Sequence, residues 1–163
     1  FSKMNVNYEL LNKRIVNNEE ISDIVIRSSN IKSTEISGED LIPRLIDEIP
    51  IIAILASQAE GTTVIKNAEE LKVKESNRIA TTIALLTTLG VVVEETADGM
   101  VIEGRANRAF EPALGVYDSH GDHRLAMSAA VASLVSTKPL DILQTEFVNT
   151  SFPGFFDLLS SLT

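Results

Sequence analysis

The chain has 163 residues, 44% of them apolar and 23% charged, which suits one globular domain with a substantial core. Its net charge of −9 argues against a general nucleic-acid surface. The absence of cysteine excludes disulfides, thiolate metal sites and a cysteine nucleophile within this segment. No apolar run is long enough to span a bilayer, so we expect no membrane partner.

The first half of the chain alternates between extended and helical patterns. Residues 21–27 predict a short strand, because a run of β-branched side chains lies near their centre. Helical spacing begins at Leu41, Pro50 suits the first turn of a further helix, and Gly61 follows as its stop. The predicted elements are extended segments at 21–27, 32–36 and 62–66 and a helix through about residue 59.

The second half contains the strongest helix prediction, residues 74–89. Apolar side chains recur there at three- and four-residue steps from Ile79 to Leu89, and Gly90 ends the pattern. The other predicted elements are a hairpin of 91–94 and 100–103, an irregular stretch at 105–115, a buried helix at 123–134, a strand at 139–143 and a helix at 155–162.

A weak internal repeat accompanies this alternation. Asp47 and Asp122 each precede a helix and lie 75 residues apart, and Val25-Ile26 and Val101-Ile102 show a similar spacing. The pattern suggests two related strand–helix units packed in one body.

Cationic side chains crowd the start of the helix predicted at 74–89. Lys74 and Arg78 would lie one turn apart on the same face, with Glu75 between them. A solvated helix start is the simpler interpretation. However, the N-terminal end of a helix dipole disfavours cations, so an uncompensated cluster there predicts a bound polyanion.

A second charged run, residues 118–124, precedes a nearly uncharged helix. Its glycine turn would present backbone N–H groups, and Arg124 could add a bidentate fork, so the run also predicts an anion site. Two alternatives stay open. One is a metal site of His120, Asp122 and His123, which lacks a third histidine. The other is a structural turn in which Asp122 caps the helix.

The acidic pair Asp47-Glu48 precedes the helix that contains Pro50. Such a pair is usually an N-terminal cap favoured by the helix dipole. It could also supply a general base, if its surroundings raise the pKa of the carboxylate.

Five runs of the chain resemble one enzyme family in order and spacing. They are IDEIP (46–50), EGTT (60–63), LKVKESNR (71–78), DSHGDHR (118–124) and SFPGF (151–155). The chain resembles the 5-enolpyruvylshikimate-3-phosphate (EPSP) synthases from about residue 21 to the end. The resemblance implies an α/β fold of repeated strand–helix units, with helices packed inside and sheets outside.

The resemblance also implies that the chain is part of a larger enzyme. Because it starts at Phe1, we expect a piece of a longer polypeptide, with residues 1–163 forming most of its C-terminal domain. The missing N-terminal domain would be its partner, and the fragment alone would be inactive. The absence of cysteine fits a reducing compartment, so we expect a cytoplasmic protein.

The activity implied is transfer of the enolpyruvyl group from phosphoenolpyruvate to the 5-hydroxyl of shikimate 3-phosphate, with release of phosphate and no metal or cofactor. By motif position, Asp47 would accept the hydroxyl proton and Glu75 would protonate the methylene carbon. Lys74 would bind shikimate 3-phosphate. The phosphoenolpyruvate site would consist of Arg78, Arg124 and, in support, His123.

Two positions depart from the family pattern. Asn77 stands where the family often carries aspartate, and Thr150 stands where some members carry a substrate-binding lysine. Two other functions stay open. One is enolpyruvyl transfer to UDP-N-acetylglucosamine, and the other is a non-catalytic anion-binding domain of the same fold.

Overall fold

The computed structural model describes residues 1–113 and 115–162. Its strands are β1 (Asn7–Val16), β2 (Glu19–Arg27), β3 (Glu35–Ile36), β4 (Thr62–Ile65), β5 (Val93–Glu95), β6 (Met100–Glu103), β7 (Val116–Asp118) and β8 (Asp141–Leu143). Its α-helices are α1 (Leu41–Leu45), α2 (Ile49–Ser57), α3 (Arg78–Thr88), α4 (His123–Ser133) and α5 (Phe155–Ser161). Short 3₁₀ turns cover Ser2–Met4, Glu69–Val73 and Thr145–Thr150.

The strands form three sheets. The largest has the order β3-β4-β6-β5, in which β3 and β4 are parallel and the other neighbours are antiparallel. β7 and β8 form a parallel pair, and β1 and β2 form an antiparallel hairpin. Each parallel pair encloses a central helix in sequence, α2 in the first case and α4 in the second.

The three longest helices pack against one another at the centre. α2, α3 and α4 make mutual contacts, the four-stranded sheet packs on α2 and α3, and β7 and β8 pack on α3 and α4. α2 is apolar around nearly its whole circumference, which is typical of a helix surrounded by protein. The helices therefore lie inside and the sheets outside, as the family resemblance implied.

Most predicted elements occur close to their expected bounds. The helices at α2, α4 and α5, the hairpin of β5 and β6, and the strands β2, β4 and β8 are confirmed. The irregular stretch predicted at 105–115 has no helix or strand at 105–113, and residue 114 lies outside the described residues.

The predicted start of α3 at residue 74 is wrong, because the helix begins at Arg78. The Asn77 side chain accepts a hydrogen bond from the backbone N–H of Ala80 and so caps the helix there. Lys74 instead has an extended backbone after the 3₁₀ turn. Lys74 and Arg78 therefore do not share a helix face.

The predicted repeat is half right. Asp47 lies two residues before α2, and Asp122 is the N-cap of α4, so the two aspartates have similar positions relative to their helices. Val25-Ile26 lies in the β1–β2 hairpin, whereas Val101-Ile102 lies in the four-stranded sheet, so this second match has no structural counterpart. Strands β1 and β7 were not predicted, because their apolar residues are too few or too dispersed to show strand alternation.

No helix in the described part of the chain is long and apolar enough to cross a membrane.

Candidate active site

The N-terminal ends of the three central helices meet and bring distant charged residues together. Asp47 lies in the turn before α2, Arg78 is the first residue of α3, and Arg124 lies in the first turn of α4. Their contacts span 31 and 77 residues of sequence, so helix packing, and not chain proximity, creates the site.

Arg78 is the centre of this cluster and is the only arginine of the described chain with a fully buried side chain, which is 1% exposed. Its Nη1 donates to Asp47 Oδ1 at 2.8 Å, and its Nη2 donates to Glu75 Oε2 at 2.5 Å. Its Nε donates to Asp122 Oδ2 at 2.8 Å. Three carboxylates from three segments therefore surround one guanidinium.

Asp122 joins the two arginine-bearing helices. Its Oδ1 accepts the backbone N–H of Arg124 at 3.0 Å, which caps α4. Its Oδ2 accepts both Arg78 Nε and the Ser76 hydroxyl, the latter at 3.0 Å. The capping turn considered for Asp122 is confirmed, but the side chain also has two further partners, Arg78 and Ser76.

Arg124 is partly exposed and faces the acidic turn before α2. Its Nη2 lies 3.3 Å from Asp47 Oδ2, and its Nη1 donates to the backbone carbonyl of Asp47 at 3.1 Å. The same Nη1 lies 3.5 Å from Glu48 Oε1. The Asp47 carboxylate is thus shared between both arginines.

These contacts lower the pKa of Asp47. Partial burial by itself would raise that pKa, but the hydrogen bond from Arg78 and the charges of Arg124, Arg78 and Lys74 outweigh it. The pKa of Asp47 is therefore lowered, whereas the hypothesis of a general base expected it to be raised. Asp47 is ionised and accepts hydrogen bonds.

The pKa of Arg78 is shifted upward. Burial disfavours the charged guanidinium, but the hydrogen bond and charge of Asp122, with the hydrogen bond of Asp47 and the charge of Glu75, more than offset it. Arg78 is consequently a permanent cation in the protein interior.

The expectation of an uncompensated cationic cluster is wrong. Lys74, Arg78 and Arg124 are paired with the protein's own carboxylates, Lys74 with Glu70 at 2.5 Å. These pairs bring internal anions to the helix starts, where the dipole favours negative charge. An external anion must therefore replace or supplement these carboxylates.

The remaining predicted residues lie at the rim of the cluster. Glu75 is about half exposed, and His123 is half-buried at the first position of α4. Among the residues that the structure describes, the His123 side chain has no hydrogen-bond or ion-pair partner. Thr150 donates to the backbone carbonyl of Phe147 at the end of an exposed 3₁₀ turn.

The metal alternative for this run has little structural support. Both oxygens of Asp122 already accept hydrogen bonds from Arg78, Ser76 and the Arg124 backbone. His120 lies in the left-handed region with φ of 53° and donates its backbone N–H to Asp118. Among residues 1–113 and 115–162, no group of three or more His, Cys, Asp or Glu side chains is arranged to hold a metal ion.

The turn that carries Arg124 is anchored to the segment after β8. Gly121 has φ of 72°, and a Cβ at this position would lie 3.4 Å from the Phe147 ring. The Gln144 side chain donates to Asp118 at 2.7 Å. Only glycine fits this left-handed position without strain, so the glycine of the DSHGDHR run shapes the turn.

An open cavity of about 230 Å³ lies beside the cluster, between α2, α4 and α5. Asp47, Glu48 and Arg124 form its charged end, and Ile51, Met127, Val131 and Phe155 line its apolar end. The site therefore borders solvent on this side.

The family is decided by a sequence comparison. The model of the family described as EPSP synthase (3-phosphoshikimate 1-carboxyvinyltransferase) matches residues 3–159. This chain belongs to the EPSP synthase family. Its motifs at 71–78 and 118–124 are the ones that supply the arginine cluster described above.

Known EPSP synthases are similar over nearly the whole chain. The 3-phosphoshikimate 1-carboxyvinyltransferase of Brevibacillus brevis is 48% identical over 95% of this chain, and that of Bacillus licheniformis is 49% identical over 98%. These matches cover only 35% and 36% of the relatives. The chain thus spans about a third of the length of the curated relatives it matches.

Solved structures agree with this placement. EPSP synthase from Acinetobacter baumannii matches with a TM-score of 0.91 and 39% identity, over 98% of this chain and 37% of that one. The enolpyruvyl transferase NikO from Streptomyces tendae matches with a TM-score of 0.65 at 16% identity, which shows a shared fold alone. The α/β fold expected for this EPSP synthase family member is confirmed.

Sequence reasoning missed several partners in the site. It did not identify Asp122 as a partner of Arg78, Ser76 as a donor to Asp122, or Glu70 as the partner of Lys74. Glu70 lies four residues before Lys74, a spacing that could have suggested the pair. The contact between Asp122 and Arg78 spans 44 residues and has no local sequence signal.

Proposed function

We propose that the protein containing this chain transfers the enolpyruvyl group of phosphoenolpyruvate to the 5-hydroxyl of shikimate 3-phosphate and releases phosphate. Family membership supports the reaction class. The observation that carries the proposal is the pair of arginines, Arg78 and Arg124, in contact with the potential acid–base groups Asp47 and Glu75. Anion binding and proton transfer can therefore occur at one place.

The proposed anion site centres on the two guanidinium groups. Arg78 and Arg124 would hold the carboxylate and phosphate of phosphoenolpyruvate, for which planar forks are well suited. Lys74 would reach the phosphate of shikimate 3-phosphate, and its charge already acts on Asp47. His123 would support the phosphoenolpyruvate phosphate from the first turn of α4.

The proposed chemistry is addition followed by elimination. Asp47 would accept the proton of the attacking hydroxyl while Glu75 donates a proton to the methylene carbon, giving a tetrahedral intermediate. The Glu75 carboxylate would then take back a proton from the methyl group while phosphate leaves, which restores the double bond. Each positioned acid or base can contribute about 10²–10⁴-fold to the rate.

Substrate binding would also change the basicity of Asp47. Both arginines contact its carboxylate in the structure. When a substrate anion draws an arginine away, the pKa of Asp47 would rise and its proton affinity would increase. Contacts to the substrate anion and activation of the base would therefore be coupled.

The charge balance supports a contribution from the rest of the polypeptide. The cluster contains three cations, Lys74, Arg78 and Arg124, but five carboxylates contact them. Two polyanionic substrates need additional positive charge. We propose that a further N-terminal domain supplies it and that residues 1–163 form most of the C-terminal domain.

An exposed surface supports the same partner. Leu10 and Ile24 are paired across the β1–β2 hairpin, and Ile24 and Ile26 are more than half exposed. Exposed apolar side chains that cluster on one hairpin usually face a partner.

We propose a cytoplasmic location for the complete enzyme, since its proposed substrates are small anionic metabolites.

The test is an assay of phosphate release by the full-length protein with phosphoenolpyruvate and each acceptor. We expect turnover with shikimate 3-phosphate and none with UDP-N-acetylglucosamine. Turnover only with the nucleotide sugar would establish the related transferase instead. Binding of both substrates without any turnover would indicate a non-catalytic anion-binding domain.

A further inference from the structure

The buried carboxylate of Asp122 does more than a helix cap requires. A cap needs one hydrogen-bond acceptor, and the neutral side chains of serine or asparagine serve as well as aspartate. Asp122 is 0% exposed, and burying an ionised carboxylate is costly unless it is paired. A charged partner, and not only the backbone N–H of α4, must therefore compensate the buried carboxylate.

The partner is one particular edge of Arg78. Asp122 binds the side that carries Nε: its Oδ2 accepts from Nε at 2.8 Å and its Oδ1 accepts more weakly from Nη2 at 3.4 Å. Nη1 donates to Asp47, and Nη2 makes its short contact with Glu75. Those two carboxylates are 44% and 52% exposed, whereas Asp122 is completely enclosed. An incoming anion can displace the exposed carboxylates, while the contact to Nε stays in place.

The same carboxylate also fixes the second arginine. Its Oδ1 binds the backbone N–H of Arg124, so one side chain sets the guanidinium of Arg78 relative to the first turn of α4. The Ser76 hydroxyl donates to the other oxygen and restrains the carboxylate. A fixed separation between the two arginines favours binding when they must bind two anionic groups of one small ligand.

We propose that Asp122 is a positioning residue that fixes the guanidinium of Arg78 relative to Arg124 for binding phosphoenolpyruvate. This inference rests on the proposed function. It assigns Asp122 no contact with the substrate, and its effect is transmitted through Arg78.

The kinetic test compares Asp122→Asn and Asp122→Ser in the full-length protein. Both side chains can still cap α4, but neither offers a negative charge to Arg78. We expect the KM for phosphoenolpyruvate to rise about tenfold or more, as for loss of a charged hydrogen bond. The KM for shikimate 3-phosphate should change by less than about twofold.

A double-mutant cycle distinguishes positioning from a general structural role. In the Arg78→Lys background, Asp122→Asn should cost little further, because Lys has no group equivalent to Nε. Asp98→Asn is the matched control, since this carboxylate accepts the backbone N–H of Asn67 at 2.7 Å but has no arginine partner in the part of the chain that the structure describes. Additive effects in the cycle, or equal changes in both KM values, would overturn the proposal.

A readout independent of turnover separates this proposal from the proposed function. The Nε–H resonance of Arg78, followed by ¹⁵N NMR of the full-length protein, should exchange slowly in the wild type and rapidly in Asp122→Asn. Slow exchange retained in the variant would refute the positioning role. A wild-type protein with the protected resonance but no turnover would instead refute the proposed function alone.

Discussion

Nη1 of Arg78 lies 2.8 Å from Oδ1 of Asp47, although 31 residues separate them in the chain. The contact exists because α2 and α3 pack against each other, with Asp47 just before α2 and Arg78 at the start of α3. It means that the protein's own carboxylates neutralise the central cation of the site. An anionic substrate can gain binding energy there in two ways. It can replace one of these carboxylates, or another part of the protein can supply further cations.

The first prediction concerns Glu75, which contacts Arg78 from the rim of the site. Glu75→Gln in the full-length protein should lower kcat by about 10²–10⁴-fold, because glutamine cannot transfer the proton to carbon. Substrate dissociation constants, measured by calorimetry, should stay within about threefold.

The control for Glu75 is Glu111→Gln. Glu111 is highly exposed and pairs with Arg105 at 3.6 Å. Its backbone N–H binds the carbonyl of Leu89, at the C-terminal end of α3, whereas Arg78 is at the N-terminal end. This variant should keep wild-type kcat. An unchanged kcat in Glu75→Gln would remove Glu75 from the proposed acid–base role.

The second prediction concerns the geometry of Arg124. Arg124→Lys keeps the charge but loses the planar fork, so the KM for phosphoenolpyruvate should rise about tenfold or more. Steady-state kinetics with saturating shikimate 3-phosphate measures this. Arg108→Lys is the control, since Arg108 is exposed and its Nε binds only the carbonyl of Arg105 among described residues.

The third prediction follows from the lowered pKa of Asp47. Because that pKa lies below the ordinary value of 3.8, the ionised carboxylate stabilises the fold at higher pH. The contribution is lost as the pH falls below about 3.8 and through the folded-state pKa. Asp47→Asn should therefore lose less stability on acidification than the wild type does.

Denaturation midpoints in urea, measured from neutral pH down to acid pH, test this difference. Equal acid dependence in the wild type and in Asp47→Asn would show that the ion pairs of Asp47 do not hold its pKa down.

The fourth prediction concerns the chain by itself. Residues 1–163 carry more carboxylates than cations around Arg78, so the isolated chain should release no phosphate from the two substrates. The full-length protein, assayed in parallel, should do so. Robust phosphate release by the isolated chain would contradict the proposal that a further domain completes the site.

Local sequence patterns predicted the central helices well, because α2 and α4 are apolar over most of their length. The family motifs also predicted that Asp47, Arg78 and Arg124 belong together, and the structure brings them into contact. The roles assigned to these residues stay predictions.

Other features depend on contacts that no local pattern encodes. α3 starts at Arg78 because Asn77 caps it, whereas helix propensity alone allowed a start near Lys74. The internal compensation of Arg78 needs Asp47 and Asp122, which are 31 and 44 residues away. Only the packing of the helices reveals that these carboxylates neutralise the cation.

The most direct test is a crystal structure of the full-length protein with phosphoenolpyruvate, or an unreactive analogue, and shikimate 3-phosphate. The account predicts the anionic groups of phosphoenolpyruvate within hydrogen-bonding distance of Arg78 and Arg124, with Asp47 and Glu75 at the reacting atoms and Asp122 still on Nε of Arg78. Substrates bound elsewhere, with Arg78 still enclosed by all three carboxylates, would contradict it.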